Sequence, residues 1–479
     1  MLDELQSLKG RFGCDASRRT AELLERARFT RFRVPDDLTH LHETVLFLRA
    51  YPQSPRVRQL ADEILFSFAD RLRGLDREPF EDPEVSGIAG TGLSTNFSYD
   101  VAKSLAARYL IQIDWENYEH ADRLGPVLAK LIPLAGEDAA VEPHVDWRRW
   151  FESAHGSAKW LIDRVDREVY DLLEIPLRWE LGDSPASRSR TRLPRREMFY
   201  HDGPLIRRSE VSLEAVFKEP PIAAKRIARP KKILELILDT SAVRYRELYG
   251  FSHPDAAHVY HADFGRGVDF FFCGVPPEWR LPLRAYHAGM FFKNGVPAGY
   301  FEGLSLFERM ECGFNLYYTF REGETAWLYA RILKLFREQL GVTCYSIDRY
   351  QIGDENEEAI ESGAFWFYRK LGFRSTSKEI ARLIGREEQR MARHPEHRTT
   401  PAMLRKLARA PLIYGGGQEW DGFELRNLRK MPKLSRDLQR AKRAPEETGY
   451  LRLLQRDRAL RAKILSPPSG RSSKYDRAR

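Results

Sequence analysis

Between residues 286 and 374 the spacing of apolar residues changes several times, which constrains the fold more than any other feature of the chain. Two apolar and aromatic runs flank Asn294-Gly295, a dipeptide that readily adopts the positive φ of a tight hairpin turn. A third strand is predicted from Glu311 to Phe320, and helical spacing follows over residues 327–336. The β-branched and aromatic run from Val342 to Ile352 is typical of a fourth strand.

A second helix is predicted to begin after Asn356, a favourable N-cap residue that is followed by two glutamates in the first turn. Gly372 stands where a C′ glycine would end this helix. Because helices separate the later strands, those strands cannot pair as simple hairpins, and the order of elements predicts a mixed α/β unit.

This order of elements, and above all the segment GAFWFYRKLGFR from Gly363 to Arg374, resembles the second half of the GNAT N-acetyltransferase fold. In that family a helix with this ending follows the strand that splays from its neighbour to admit acyl-CoA. The resemblance implies a GNAT-like acyltransferase domain, placed here at residues 211–376. It also implies acyl-CoA as co-substrate, with acetyl-CoA the first candidate, and no metal.

The resemblance further implies a turn that binds the CoA pyrophosphate through backbone N–H groups at a helix N-terminus. The family pattern is Arg or Gln, two residues, Gly, one residue, then Gly or Ala. When Arg321 and Ala326 are aligned with its ends, Glu324 stands at the central glycine. The residues expected to contact CoA are Phe320, Arg321, Gly323, Thr325, Ala326 and Asn356.

Acyl transfer to an amine needs a base for the amine and an acid for the leaving thiolate. By its position, Tyr368 matches the family tyrosine that protonates the CoA sulfur. Glu308 and Glu311, with Glu302 further back, are the carboxylates ahead of the third strand that could act as base through water. A structural interpretation stands beside each role. Tyr368 belongs to a run of four aromatic residues that could be packing, and Glu308 and Glu311 could be solvated strand ends.

Residues 1–180 show apolar stripes at helical spacing and predict an all-α domain, with helices over residues 41–50, 56–72, 99–113, 118–134 and 147–173. The polar, basic, proline-containing stretch within 181–210 predicts a linker. Residues 211–217 are the only candidate for a first strand of the following domain, and Val268 to Cys273 predicts an extra strand. The predicted fold is therefore α+β and multi-domain, with an all-α N-terminal domain, a GNAT-like α/β domain and a basic helical extension over 377–479.

The net charge of +9 is unevenly distributed. From Ala381 to Arg479 there are 25 Lys and Arg against 11 Asp and Glu, a balance of +14, whereas the preceding residues balance to −5. This asymmetry makes nucleic acid a candidate partner through residues 426–479, and such binding would be salt-sensitive and blind to sequence. A solvated amphipathic helix is the alternative interpretation.

The four cysteines are scattered singly and form no CxxC, so buried reduced thiols are expected rather than disulfides or structural zinc. Two histidine clusters, one with His40 and His42 and one with His258 and His261, have spacings that do not favour a metal site. No apolar run reaches the roughly 18 residues that a membrane span needs. The first residues lack the apolar core of a signal peptide, so we expect a cytoplasmic protein without membrane contact.

Three hypotheses follow from the sequence. The first is an acyl-CoA-dependent N-acyltransferase that acts on a small-molecule or protein amine. The second is a GNAT-shaped scaffold or binding module without catalysis, which the carboxylate at the central glycine of the pyrophosphate turn favours. The third is a nucleic-acid-associated protein that acts through its basic extension.

Overall fold

The computed structural model describes residues 1–82, 85–153, 156–281, 283–421, 423, 461–462 and 465. The fold is α+β, and the chain forms two compact units. The first unit contains Met1–Pro204, Arg229–His253 and Phe292–Pro297, and the second contains Leu205–Ala228, Pro254–Phe291 and Ala298–Arg479. None of the described helices is long and apolar enough to cross a membrane.

Helices make up most of residues 1–204 and are interrupted by three short strands. The helices are α1 (Leu2–Leu8), α2 (Cys14–Phe29), α3 (Pro35–Ala50), α4 (Pro55–Phe66), α5 (Phe68–Arg71), α6 (Tyr99–Ala106), α7 (Leu124–Leu131), α8 (Pro133–Val141), α9 (Trp147–Ser153), α10 (Ala158–Ile162) and α11 (Arg167–Leu173). The strands are β1 (Gly92–Asn96), β2 (Ile111–Ile113) and β3 (Pro176–Glu180).

The prediction of an all-α N-terminal domain is wrong, because these three strands form an antiparallel sheet in the order β1-β3-β2. Trp179 of β3 pairs with Leu93 on one side and with Ile111 on the other. Within β3, Leu177 and Trp179 are buried while Arg178 and Glu180 are not, as the two-residue period of a strand requires. A run this short carries too few residues to separate that period from a helical one.

Two long predicted helices are also shorter in the structure. The helix predicted over residues 99–113 ends at Ala106, and the last residues of that range, Ile111–Ile113, form β2. The stretch from 147 to 173 holds three helices, which Gly156 interrupts with a φ of 56° and Asp166 restarts by accepting a hydrogen bond from Val169 N at 2.9 Å. Apolar spacing alone does not reveal such breaks, since each piece keeps its own buried face.

The stretch predicted as a linker, residues 181–210, is not an exposed linker in the structure. Residues 181–204 belong to the first unit, and Ser187 and Ser189 are fully buried. Their hydroxyl groups are satisfied internally, because Ser187 Oγ donates to Ser184 O at 2.9 Å and Ser189 Oγ lies 2.9 Å from His42 Nε2. Polar composition suggested solvent exposure, but small hydroxyl residues are buried readily when the backbone supplies their partners.

A second sheet, most of whose residues belong to the second unit, has nine strands within the described part of the chain, in the order β11-β12-β10-β9-β8-β7-β6-β5-β4. Its strands are β4 (Ala224–Arg226), β5 (Val259–Gly265), β6 (Val268–Cys273), β7 (Ala285–Lys293), β8 (Val296–Leu306), β9 (Arg309–Leu316), β10 (Cys344–Ile347), β11 (Arg374–Ser375) and β12 (Leu412–Gly415). The remaining helices are α12 (Leu213–Lys218), α13 (Lys231–Ala242), α14 (Tyr249–Ser252), α15 (Thr325–Leu340), α16 (Glu357–Glu361), α17 (Ala364–Arg369), α18 (Lys378–Arg393) and α19 (Pro401–Leu407).

Several predictions for residues 286–374 are confirmed. Asn294 and Gly295 have φ values of 48° and 80° and join β7 to β8. Asn356 caps α16 by accepting a hydrogen bond from Ala359 N at 3.1 Å, and Gly372 has a φ of 98° after α17. The single helix predicted between these two residues is wrong, because Gly363, with a φ of 67°, separates α16 from α17. The extra strand over Val268–Cys273 is present as β6. These positions were predictable because each depends on local backbone chemistry.

Two predictions at the edges of this domain are wrong. Residues 213–218 form α12 rather than a first strand, and Ser212 caps that helix. The sheet also does not end near residue 376, because β12 pairs antiparallel with both β10 and β11. Of the extension over 377–479, the structure describes two helices and β12. The segment 426–479, for which nucleic-acid contact is predicted, lies outside the described residues except at 461–462 and 465.

Candidate functional site

Strands β9 and β10 are parallel neighbours that pair only at their first residues. The pairs are Arg309 with Cys344, Met310 with Tyr345 and Glu311 with Ser346. Strand β9 then continues to Leu316, still paired with β8, whereas β10 ends at Ile347. The second half of β9 therefore has a strand on one side and a gap on the other.

A cleft of about 210 Å³ occupies this gap. Its lining residues come from the end of β9, the start of α15, and α16 and α17 with the segments that precede them. They are Phe314, Asn315, Leu316, Arg321, Thr325, Gln351, Asn356, Glu358, Ala359, Ser362, Ala364, Phe367 and Tyr368. Four of the residues predicted from the sequence thus line one cleft, namely Arg321, Thr325, Asn356 and Tyr368.

The amino end of α15 forms one side of the cleft. The helix begins at Thr325 after the N-cap residue Glu324, and Thr325 Oγ1 donates to Arg321 O at 3.1 Å. As in any α-helix, the first-turn amides of Thr325, Ala326 and Trp327 have no acceptor within the helix. These amides and the helix dipole make this end suitable for an anion, above all a phosphate group.

The carboxylate at the glycine position of the family pattern does not line the cleft. Glu324 is buried, at 2% exposure, and accepts hydrogen bonds from Arg266 Nε at 3.1 Å and Ile206 N at 3.2 Å. The Arg266 guanidinium compensates its negative charge. The repulsion expected between this side chain and a bound pyrophosphate is therefore reduced by the ion pair with Arg266.

Arg321 and Glu358 face each other across the cleft and form an ion pair. Both side chains are substantially exposed, so the pair contributes little to stability and can open at low cost. Arg321 is thus close to the start of α15, as the pyrophosphate turn requires, but its charge is engaged by a carboxylate. Phe320, Gly323 and Ala326 are not lining residues, and Phe320 and Ala326 are buried beneath the turn.

Tyr368 is fixed by aromatic packing on the far side of the cleft. Its ring lies 5.6 Å from that of Tyr329 and 5.9 Å from that of Phe373, both edge-on, and the residue is 3% exposed. Burial raises the pKa of the Tyr368 phenol, so the hydroxyl keeps its proton at neutral pH. A protonated, rigidly held phenol at a cleft can donate a hydrogen bond or a proton to a bound ligand.

The structure does not bring Glu308 to the cleft. Glu308 precedes β9 at the end where the strands are paired, and it accepts hydrogen bonds from Trp420 Nε1 at 2.9 Å and Arg461 Nε at 3.1 Å. Burial alone would raise its pKa, but the bonds from Arg461 and Trp420 outweigh burial and lower it. Glu308 is therefore a structural carboxylate, since its partners occupy both oxygens.

Glu311 lies at the point where the strands separate but is not a lining residue. Its carboxylate pairs with Arg284 Nη1 at 3.0 Å. Strand alternation places Glu311, Gly313 and Asn315 on one face of β9 and Met310, Cys312 and Phe314 on the other.

Glu302 is a carboxylate on β8 that lies close to the cleft residue Gln351. It lies on β8 opposite Gly313, and a Cβ atom added at Gly313 would be 3.7 Å from both Glu302 Cβ and Gln351 Nε2. Tyr286 Oη donates a hydrogen bond to Glu302. The sequence placed Glu302 behind Glu308 and Glu311 as a candidate base, because its pairing with Gly313 is visible only in the folded sheet.

Two of the histidines and two of the cysteines that the sequence singles out are paired or buried in the structure. Among the described residues, no three His, Cys, Asp or Glu side chains are grouped as metal ligands. His258 pairs with Asp255 at 2.8 Å, and His42 is fully buried. Burial also raises the pKa of Cys312 and Cys344, which keeps these thiols protonated and favours a core role.

Comparisons with family models, curated proteins and solved structures find no match to this chain.

Proposed function

We propose that this protein is an acyl-CoA-dependent N-acyltransferase of the GNAT type. The observation that carries the proposal is the separation of β9 and β10 after the pair Glu311–Ser346, with a cleft between the start of α15 and Tyr368. Parallel strands normally stay paired, because each unpaired backbone group needs another partner. A ligand with its own amide groups can supply such partners, as the pantetheine arm of CoA does in the family that the sequence resembles.

The dimensions of the cleft fit a narrow ligand. Its volume of about 210 Å³ lies below the roughly 300–1,000 Å³ of pockets that enclose drug-sized molecules. A linear thioester arm would enter between the strands, and the phosphate groups would stay at the start of α15. There the amides of Thr325, Ala326 and Trp327 would bind the pyrophosphate, and Arg321 would bind it after leaving Glu358.

In the proposed reaction the amine nitrogen attacks the thioester carbonyl carbon, so that a C–N bond forms and the C–S bond breaks. Tyr368 donates its proton to the departing thiolate. The proton of the amine passes through water to a carboxylate on the other side of the separated strands, and Glu302 with its partner Tyr286 is our first candidate for that role, followed by Glu311.

A second candidate function is a binding module that holds acyl-CoA without turnover. Two observations favour it. Arg321 is already engaged by Glu358, and among the described residues no other carboxylate lines the cleft. The two functions differ in one result only. An enzyme releases free CoA thiol when acetyl-CoA and an amine are both present, whereas a binding module does not.

The test is release of thiol from acetyl-CoA in the presence of a panel of primary amines and lysine-containing peptides. The enzyme proposal predicts amine-dependent release that Tyr368→Phe slows. Saturable binding of acetyl-CoA without amine-dependent release across the panel would favour the binding module, and absence of binding would refute both.

A further inference from the structure

The first unit contains a separate cavity of about 550 Å³ whose walls are strongly cationic. Of the described residues that line it, five are arginines and none is Asp or Glu. The arginines are Arg49 on α3, Arg58 on α4, and Arg192, Arg195 and Arg196 on the segment that follows β3.

Three of these arginines share one carboxylate. Asp62 Oδ1 lies 2.5 Å from Arg49 Nε and 3.7 Å from Arg192 Nε, and Asp62 Oδ2 lies 3.7 Å from Arg58 Nη1. This group of three guanidinium groups and one carboxylate has a formal charge of +2. Like charges held this close repel one another, and the repulsion grows as water is removed.

The charges are also partly removed from water. The side chains of Arg49 and Arg192 are 8% and 12% exposed. Burial, followed by the charge of Arg49, lowers the pKa of Arg192 to about 9, so the guanidinium remains charged at neutral pH. Nε of Arg58 and Nε of Arg192 are buried without a hydrogen-bond partner among the described residues.

The cavity wall is held in place by contacts that do not involve a ligand. Arg49 Nη1 donates to Asn294 O at 3.0 Å, and Arg192 donates to Thr191 O at 2.8 Å and Ser189 O at 3.0 Å. Asn294 is itself anchored, because its Nδ2 donates to Ala50 O at 2.8 Å. Fixed side chains lose little entropy when a ligand binds, which favours binding.

We propose that this cavity binds a small organic phosphate of nucleotide size. Guanidinium groups match the geometry of phosphate oxygens and bind them in bidentate fashion. The volume lies within the roughly 300–1,000 Å³ of small-molecule pockets and exceeds what a lone phosphate fills. Tyr200 and Met198 supply an aromatic and an apolar wall for the organic part. Asp62 neutralises only one of the three neighbouring guanidinium charges, and a bound phosphate would supply the remaining negative charge.

The test is calorimetric titration of the full-length protein with ATP, ADP, a sugar bisphosphate and inorganic pyrophosphate at low and physiological salt. We expect at least one organic phosphate to bind more tightly than pyrophosphate and to raise the melting temperature. The variants Arg58→Gln and Arg196→Gln should each weaken binding about tenfold or more. The matched control Arg56→Gln removes an exposed arginine of α4 outside the cavity and should change nothing.

Two further variants test whether the contact is bidentate and whether the ligand binds in this cavity rather than in the cleft at α15. Arg58→Lys retains the positive charge but loses the planar set of N–H donors of the guanidinium group. An affinity between those of wild type and Arg58→Gln would therefore support bidentate contact. Thr325→Asp alters only the other cleft, so nucleotide binding should survive it. Absence of binding at millimolar ligand, equal binding of pyrophosphate and organic phosphates, or binding that is unchanged in folded Arg58→Gln and Arg196→Gln would overturn the proposal. The proposal would also be overturned if the protein bound RNA but no small phosphate, and if these variants abolished the RNA binding.

Discussion

Glu311 and Ser346 form the last parallel pair between β9 and β10, and the two strands separate beyond it. This pair places the cleft at a fixed point in the sheet, with the start of α15 on one side and Tyr368 on the other. The site therefore depends on where strand pairing stops as much as on any single side chain.

Replacing Tyr368 with Phe should lower turnover by about 10²-fold or more while leaving the affinity for acetyl-CoA nearly unchanged, because only the proton donor is lost. The ring packing against Tyr329 and Phe373 is retained in this variant. Steady-state kinetics with acetyl-CoA and a reactive amine provide the measurement. A variant with wild-type turnover would exclude Tyr368 as the acid.

Replacing Gly313 with Leu should block the approach of the amine without disturbing acyl-CoA. A Cβ atom at this position meets nothing closer than 3.7 Å, but a longer side chain would fill the space between Glu302 and Gln351. We expect the KM for the amine to rise about tenfold or more, or amine-dependent turnover to disappear, with unchanged acetyl-CoA binding. Gly313→Ala is the matched control and should behave as wild type. If Gly313→Leu has normal kinetics, the amine does not enter past Glu302.

His287 should make stability depend on pH between about 6.5 and 4. It is fully buried, Nε2 has no hydrogen-bond partner among the described residues, and burial lowers its pKa to about 4. The unfolded chain takes up a proton below its ordinary pKa of about 6.5 while the folded chain does not, so stability is lost as pH falls through this window, by about 3 kcal/mol in total.

Chemical denaturation at pH 7 and pH 4 measures this loss. His287→Leu should flatten the dependence by that amount, whereas replacing the exposed His394 with Gln should not. An unchanged pH dependence in His287→Leu would show that other groups cause it.

The ion pair between Arg266 and Glu324 should be important for folding of the second unit. Arg266→Met leaves a carboxylate that is 2% exposed without its guanidinium partner, and we expect a loss of about 3 kcal/mol in the free energy of unfolding. Adding Glu324→Gln should restore part of this stability. The exposed pair Arg321–Glu358 is the comparison, since Arg321→Gln should cost less than about 1 kcal/mol. Equal losses in the two single variants would contradict the assigned difference in burial.

Local chemistry explains which parts of the fold were predictable from the sequence. The turn at Asn294, the cap at Asn356 and the glycine stop at Gly372 each depend on a few neighbouring residues, and all three are present. Strand β12 was missed because it pairs with residues about 70 positions earlier, and four residues carry no clear period.

The site was predictable only in part. Tyr368 and the start of α15 were found because a family pattern marks them. Arg266, the partner of Glu324, was not predicted, because it is 58 residues away and the sequence around it has no pattern that indicates the contact. Glu308 was selected for its position ahead of a strand, but its partners Trp420 and Arg461 are distant in sequence and meet it only in the folded chain.

Calorimetric titration of acetyl-CoA into wild type, Thr325→Asp and Thr325→Ser tests whether the start of α15 binds the pyrophosphate of acyl-CoA. A carboxylate in the first turn is favourable for the helix, so Thr325→Asp should fold with an unchanged or slightly higher melting temperature. The same carboxylate repels phosphate, so its affinity for acetyl-CoA should fall at least about tenfold, whereas Thr325→Ser should bind as wild type does. Equal binding by all three proteins, or no binding by the wild type at millimolar acetyl-CoA, would contradict the account.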